Sequence, residues 1–175
     1  MALTRLGPNQ SVNLASNVTG TLPIANGGTA LTSGFVNGGV NTPAFSVTQG
    51  SGQDLSNATA TKLAFNTEVF DTDSAFDHSS NYRFTVPSGE AGKYFFYAQA
   101  TLQATQDADA NSIFFYKNGS SFQSTMNTNQ YYDTSEISIV MDLSAGDYIE
   151  VYFEHNRGTT DDVANGRWYG CKLIT

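Results

Sequence analysis

The chain has 175 residues, enough for one full-sized core and short for two. Eight basic residues stand against sixteen acidic ones, a net charge of −8, which argues against nucleic acid or an anionic membrane as the main partner. One cysteine allows no internal disulfide, no apolar run approaches a membrane span, and the N-terminus lacks the apolar core of a signal peptide, so a soluble cytoplasmic product is expected.

Residues 1–43 differ in kind from the rest. They hold three of the four prolines, seven of the sixteen glycines and a single charged residue, Arg5. Apolar residues such as Leu3, Leu6, Leu22 and Ile24 recur without a helical period, so the segment cannot bury a core alone and is too apolar for a solvated linker. The expectation is an extended arm ordered by other chains, anchored through Leu3, Leu6, Leu22 and Ile24. The run Leu22, Pro23, Ile24, Ala25, Asn26, Gly27, Gly28, Thr29 resembles a segment that recurs in bacteriophage tail-fibre and other virion appendage proteins. The opening residues similarly resemble the start of small structural proteins of marine phages.

From Ala44 onward, short apolar stretches alternate with turn signals every eight to twelve residues, the pattern of an all-β sandwich or jelly roll. Residues 45–48 begin it, and a polar loop follows to Thr59. Residues 62–66 and 82–86 read as short strands. Pro87, Ser88 and Gly89 make a turn, and from Lys93 the side chains alternate: Tyr94, Phe96, Ala98, Ala100 and Leu102 on one face, Phe95, Tyr97, Gln99, Thr101 and Gln103 on the other. The first set is a core face. The second leads with two aromatics that need cover. Residues 113–117 lead into Asn118-Gly119, the strongest hairpin signal in the chain, and 121–126 return from it. Strands over 137–143 and 148–154 follow, the latter with Ile149, Val151 and Phe153 on one face. The last strand is predicted from about Gly166 to Ile174.

Several of these residues carry a second family resemblance. Phe84, Thr85, Val86, Pro87, then Ala91, Gly92, Lys93, Tyr94, Phe95, Phe96, resemble the signature of the globular head of complement component one-q, whose ten-stranded jelly roll is shared with tumour necrosis factor. Residues 62–71 and 76–82 resemble that family's lead-in strands, and Trp168, Tyr169, Gly170 with Leu173 and Ile174 resemble its last strand. Two departures stand out: the turn from Pro87 to Gly92 is longer by about two residues, and Cys171-Lys172 replaces apolar residues. The resemblance implies a ten-stranded jelly roll over 44–175 and a homotrimer. It also implies that the strand from Lys93 to Gln103 and the last strand lie near the threefold axis, and Phe95, Tyr97 and Trp168 are expected at the interface.

Catalytic constellations are scarce. His78 and His155 are far apart in sequence, and a packed free thiol is favoured for Cys171 over a Cys–His nucleophile. The acid pairs Asp71/Asp73, Asp107/Asp109 and Asp161/Asp162 read as solvated loop acids rather than glycosidase carboxylates or calcium ligands. No enzyme, metal or cofactor is expected. Binding residues of a rigid sandwich sit on its loops. Residues 106–112, 127–134 and 156–165 supply Asp107, Asp109, Asn111, Asn129, Tyr131, Tyr132, Arg157, Asp161 and Asp162 as candidates for a host-surface glycan or protein.

The expected protein is a phage structural component, made in the host cytoplasm and carried on the virion. Its arm docks to other virion proteins and its trimeric head serves host attachment or decoration. The rivals are a secreted binding module of the complement-head type, disfavoured by the missing signal peptide and collagen repeat, and a glycan-degrading enzyme of the tailspike type. Neither nucleic-acid binding nor membrane insertion is expected.

Overall fold

The computed structural model describes residues 41–103, 110–128 and 134–174, and the regular structure in them is entirely β-strand. In chain order come β1 (Ala44–Thr48), β2 (Gln53–Leu55), β3 (Thr61–Lys62) and β4 (Thr67–Asp71). Next are β5 (Phe76–Asp77), β6 (Arg83–Thr85), β7 (Gly92–Leu102) and β8 (Asn111–Lys117). The last four are β9 (Ser120–Asn127), β10 (Thr134–Leu143), β11 (Tyr148–His155) and β12 (Asp161–Ile174). The strands make two antiparallel sheets: sheet A in the order β10-β7-β12-β1-β4 with β2 beside β12, and sheet B in the order β5-β6-β11-β8-β9 with β3 beside β11. This is the predicted jelly roll, although twelve strands replace ten because β2, β3, β5 and β6 are pieces of two or three residues.

Period-two alternation builds the core. On β7, Tyr94, Phe96, Ala98, Ala100 and Leu102 are all fully buried, facing Ile149, Val151 and Phe153 of β11 and Ile113 and Phe115 of β8. Aromatic rings fill the centre: Phe45 stacks on Phe76 and Phe84 at 5.1 Å, and Trp168 meets Phe45 and Phe76 edge-on at 5.2 and 5.0 Å. Residues 62–66 do not form one strand. Leu63 and Phe65 are fully buried while the backbone crosses from β3 in sheet B to β4 in sheet A, so their alternation comes from plugging the core during a crossing. The last strand starts five residues earlier than its apolar pattern suggests, because Asp161, Asp162 and Val163 pair with β2.

The turns follow their residues. Asn118 and Gly119 have φ of 53° and 79°, the two positive values that close a two-residue hairpin between β8 and β9. Asp147 fastens this hairpin to the turn before β11, accepting hydrogen bonds from Asn118 Nδ2 (2.8 Å), the Ser144 amide (2.9 Å) and Lys117 Nζ (2.9 Å). These donors hold its carboxyl down at about 2.

Candidate functional site: an apolar sheet face and a polar loop end

Two surfaces merit a functional reading. The first is the outer face of sheet A. Across the sheet, Val140, Phe95, Cys171 and Ala44 fall in one register row, and Ser138, Tyr97, Tyr169, Ser46 and Phe70 in the next. Val140 is 56% exposed, Phe70 48% and Tyr169 40%, while Phe95 and Tyr97 are half-buried. Phe70, Phe95, Tyr169 and Cys171 line a shallow groove of about 360 Å³. Such a face is far more apolar than the solvated side of an antiparallel sheet.

Polar groups border the two rows. On one side, Glu136, Gln99, Arg167 and Thr48 are in register, and the Tyr97 hydroxyl, with one proton to give, lies 2.8 Å from both Glu136 Oε2 and Gln99 Oε1 while its ring stacks on Tyr169 at 4.9 Å. Burial and the neighbouring Glu136 push the Tyr97 phenol up to about 12, so it stays a neutral donor at any physiological pH. On the other side, Lys93 faces Asp142 at 3.8 Å. The face is therefore an apolar strip with a charged rim, the anatomy of a protein–protein interface.

Of the three residues assigned to that interface, the fold brings Phe95 and Tyr97 together on the outer face and places Trp168 elsewhere. Trp168 is fully buried between the sheets. The reason is its company: Gly166 and Gly170 share its face of β12, and a Cβ at Gly170 would stand 2.4 Å from the Phe96 ring. The glycines leave the space that the indole and its phenylalanine neighbours occupy. A Gly-x-Trp-x-Gly spacing in a strand is the signal that identifies an inward tryptophan. Tyr169, its outward neighbour, and Phe70 belong to the exposed face and were not anticipated there.

The second surface is the end of the sandwich where connections meet. The Asn156 amide donates to Ala110 O (2.9 Å), Gln103 N to Asp162 O (2.8 Å) and Gly158 N to Asn57 Oδ1 (2.6 Å), so three connections are tied at one end. Below them lies a buried polar layer. Ser135 donates to Asn111 Oδ1, and His155, fully buried, donates from Nε2 to Leu55 O at 3.0 Å.

This corrects two of the loop candidates. Asn111 is not a loop residue: it is buried within β8, opposite His155, and holds Ser135. Arg157 is not a free bidentate donor. Its side chain is 7% exposed and its Nη1 donates to Asp161 Oδ1 at 2.7 Å, with Thr159 on the other oxygen. Asp161 and Asp162 stand at the start of β12, half-buried. Asp107, Asp109, Asn129, Tyr131 and Tyr132 lie outside the described residues, as do Leu3, Leu6, Leu22 and Ile24. Among the described residues no three His, Cys, Asp or Glu side chains converge as a metal site, and no helix is long and apolar enough to cross a membrane.

The middle of the outer face of sheet B, by contrast, satisfies itself. Tyr116 stacks on Tyr152 at 3.9 Å, Arg83 lies over the Tyr148 ring at 4.3 Å, and Lys62 pairs with the buried Glu150 at 3.0 Å.

The fold has relatives among solved structures. The globular domain of the zebrafish complement 1qA protein aligns with a TM-score of 0.58 at 18% identity, covering 76% of this chain and 98% of that one. The vertex protein P5 of the phage PRD1 aligns with a TM-score of 0.61 at 14% identity over 78% of this chain and all of the other. Murine APRIL aligns at 0.57 and 13% identity, covering 74% of this chain and 98% of its own. Among curated proteins none matches the sequence. Domains of this kind are typically binding modules rather than enzymes. The C1q domain family matches residues 44–169, well over half of the sequence, and the chain belongs to that family.

Proposed function

We propose that this chain is the trimeric head of a virion appendage. In this reading it assembles through the outer face of sheet A, is held to other virion proteins by residues 1–43, and presents its loop end to a host-surface glycan or protein. One observation carries the assembly: the apolar strip of Phe70, Phe95, Tyr97, Tyr169 and Val140 on a face that a monomer would leave in water. Fully burying an exposed side chain of this size contributes about 1.5–3 kcal/mol; these are already partly covered, so each adds roughly half of that, and several together favour association. Domains of the C1q and tumour necrosis factor type generally form homotrimers, which supports three copies rather than two.

The virion setting rests on two supports, the likeness to the PRD1 vertex protein and the tail-fibre-like run from Leu22 to Thr29. Leu3, Leu6, Leu22 and Ile24 then supply the anchoring contacts. Asp107, Asp109, Asn129, Tyr131, Tyr132, Asp161 and Asp162 then supply the receptor contacts.

Light scattering on the full chain tests the assembly. The expected mass is three times 18.8 kDa, and Phe95→Asp is expected to give a folded monomer. A Phe95→Asp protein that still runs as a trimer would remove the outer face of sheet A from the interface. Immunogold labelling of purified particles tests the setting, and unlabelled particles would reject it.

A further inference from the structure

Arg83 is a cation that the fold leaves without an acid. Lys62, Lys93, Lys117, Arg157 and Lys172 each pair with a carboxylate, at 2.7 to 3.8 Å. Among the described residues Arg83 and Arg167 do not; Arg167 is exposed at the rim of sheet A, whereas Arg83 is half-buried on sheet B. A shortage of acids is not the reason. Register places Asp77 on one side of Arg83 and Glu150 on the other. Asp77 spends both oxygens on the turn that follows it: Oδ1 accepts from the Ser79 and Ser80 amides at 3.0 and 2.9 Å, and Oδ2 from Asn81 Nδ2 at 2.7 Å. Glu150 holds Lys62 at 3.0 Å. The Tyr148 ring, 4.3 Å from the guanidinium carbon, steadies the group without offering an oxygen. The planar fork of N–H donors is left for an acceptor from outside.

Arg83 lines a surface hollow of about 370 Å³ at the β5–β6 margin of sheet B, together with Asp73, Asn81, Thr85 and Pro87. That is the size of a small-ligand site. Asn81 keeps its carbonyl oxygen to offer, since its amide nitrogen is the donor to Asp77, and Thr72 engages only Oδ2 of Asp73. Ser74 and Tyr82, with φ of 51° and 47°, hold the flanking turns in a left-handed conformation that side chains rarely adopt. The polar groups call for different things in one ligand. The guanidinium calls for a planar anion that takes two parallel N–H bonds. Asp73 and Asn81 call for hydroxyl donors, and Asp73 repels a second negative charge. A sugar with a single carboxylate meets both demands, and a doubly charged phosphate does not. We infer that the hollow binds a uronic-acid residue of an acidic glycan, with its carboxylate on Arg83 and its ring hydroxyls on Asp73 and Asn81. The site is separate from the loop end: it lies beside Thr85 and Tyr148, where β11 begins, whereas His155 ends that strand beneath the loops.

Titration of the full chain with D-glucuronate tests the inference, read by calorimetry and by the NMR signal of the Asn81 side-chain amide. The expected dissociation constant is on the order of 1 mM, as suits one sugar residue in an open hollow. D-glucose, which lacks the carboxylate, and acetate, which lacks the ring, should each bind about tenfold more weakly or worse. Arg83→Gln should abolish binding. Arg83→Lys, which keeps a charge over Tyr148 but not the fork, should lose most of it. Asp73→Ala, at an exposed position, should narrow the preference for glucuronate over acetate. Four results would each overturn the inference: no heat and no Asn81 shift up to about 50 mM glucuronate, glucose binding as tightly as glucuronate, acetate binding as tightly as glucuronate, or an affinity that Arg83→Gln leaves unmoved. None of them bears on the trimer or on the loop end, which the mass and labelling experiments test separately.

Discussion

Lys172 Nζ and Glu90 Oε2 lie 2.9 Å apart, joining the last strand to the turn between β6 and β7. The lysine side chain is 8% exposed and the carboxylate 37%. These residues embody the two departures of the sequence from the complement-head pattern, a longer turn after Pro87 and a lysine where apolar residues are usual. The structure makes them one device. The turn carries Glu90, Tyr94 Oη donates to Glu90 O at 2.6 Å, and the carboxylate neutralises an ammonium that would otherwise be buried unpaired. Glu90→Ala should therefore lower unfolding free energy by about 1–3 kcal/mol, measured in urea. Lys172→Met, which removes the charge and keeps the bulk, should cost less than Glu90→Ala. Equal losses would show that the ion pair is not the reason Glu90 matters.

Trp168 offers a test of its inward position. Replacement by alanine empties the middle of a cluster that includes Phe45, Phe65 and Phe76, and should cost about 3–5 kcal/mol. Its indole N–H has no hydrogen-bond partner among the described residues, so Trp168→Phe sacrifices packing alone and should cost clearly less. The oligomeric mass of Trp168→Phe should equal that of the parent, since the side chain does not reach the outer face.

Cys171 reports on the groove without any mutation. Its thiol is free and half-buried, on the outer face of sheet A between Phe95 and Ala44. In the assembled protein the thiol should react with a bulky aromatic disulfide far more slowly than in the Phe95→Asp monomer, by at least tenfold. Equal rates would place Cys171, and with it the groove, outside any subunit contact.

The acid limb of stability should follow two aspartates. Asp77 is held well below the usual carboxylate range by the Ser80 amide, the Asn81 amide group and the Ser79 amide. Asp147 is held at about 2 by Asn118, Lys117 and Ser144. A folded-state value below the unfolded one gives stability that is complete above about pH 4 and is lost as pH falls toward 2. Asp147→Asn should lower stability at pH 7 and flatten the fall between about pH 4 and 2, read from urea midpoints across that window.

Much of the fold was legible because it rests on local signals. The two faces of β7, the inward side of β11 and the Asn118-Gly119 hairpin all follow from alternation or from turn chemistry. What escaped was non-local. The first residues of β12 look like a loop, with two acids, an asparagine and a glycine, and they become strand only because β2 and β7 flank them. Asn111 looks like a surface polar residue until Ser135, twenty-four residues away in sequence, is brought against it; Arg157 is a local exception, its partner Asp161 standing only four residues on. The outer face of sheet A was anticipated through Phe95 and Tyr97 but not through Phe70, whose strand has no periodicity of its own and joins the face by pairing with β1.

The pairing of β1 with β12 has a mechanical consequence. Ala44 lies opposite Cys171, and the chain then runs along β12 until Leu55 meets Asp161, so the point where the domain begins and its loop end are at opposite ends of the same strands. A pull applied at Ala44 and resisted at the loop end is directed along β1, whose hydrogen bonds to β12 and β4 run across it. Those bonds must then yield together in shear instead of opening one after another. The domain therefore resists a pull along these strands better than one across them.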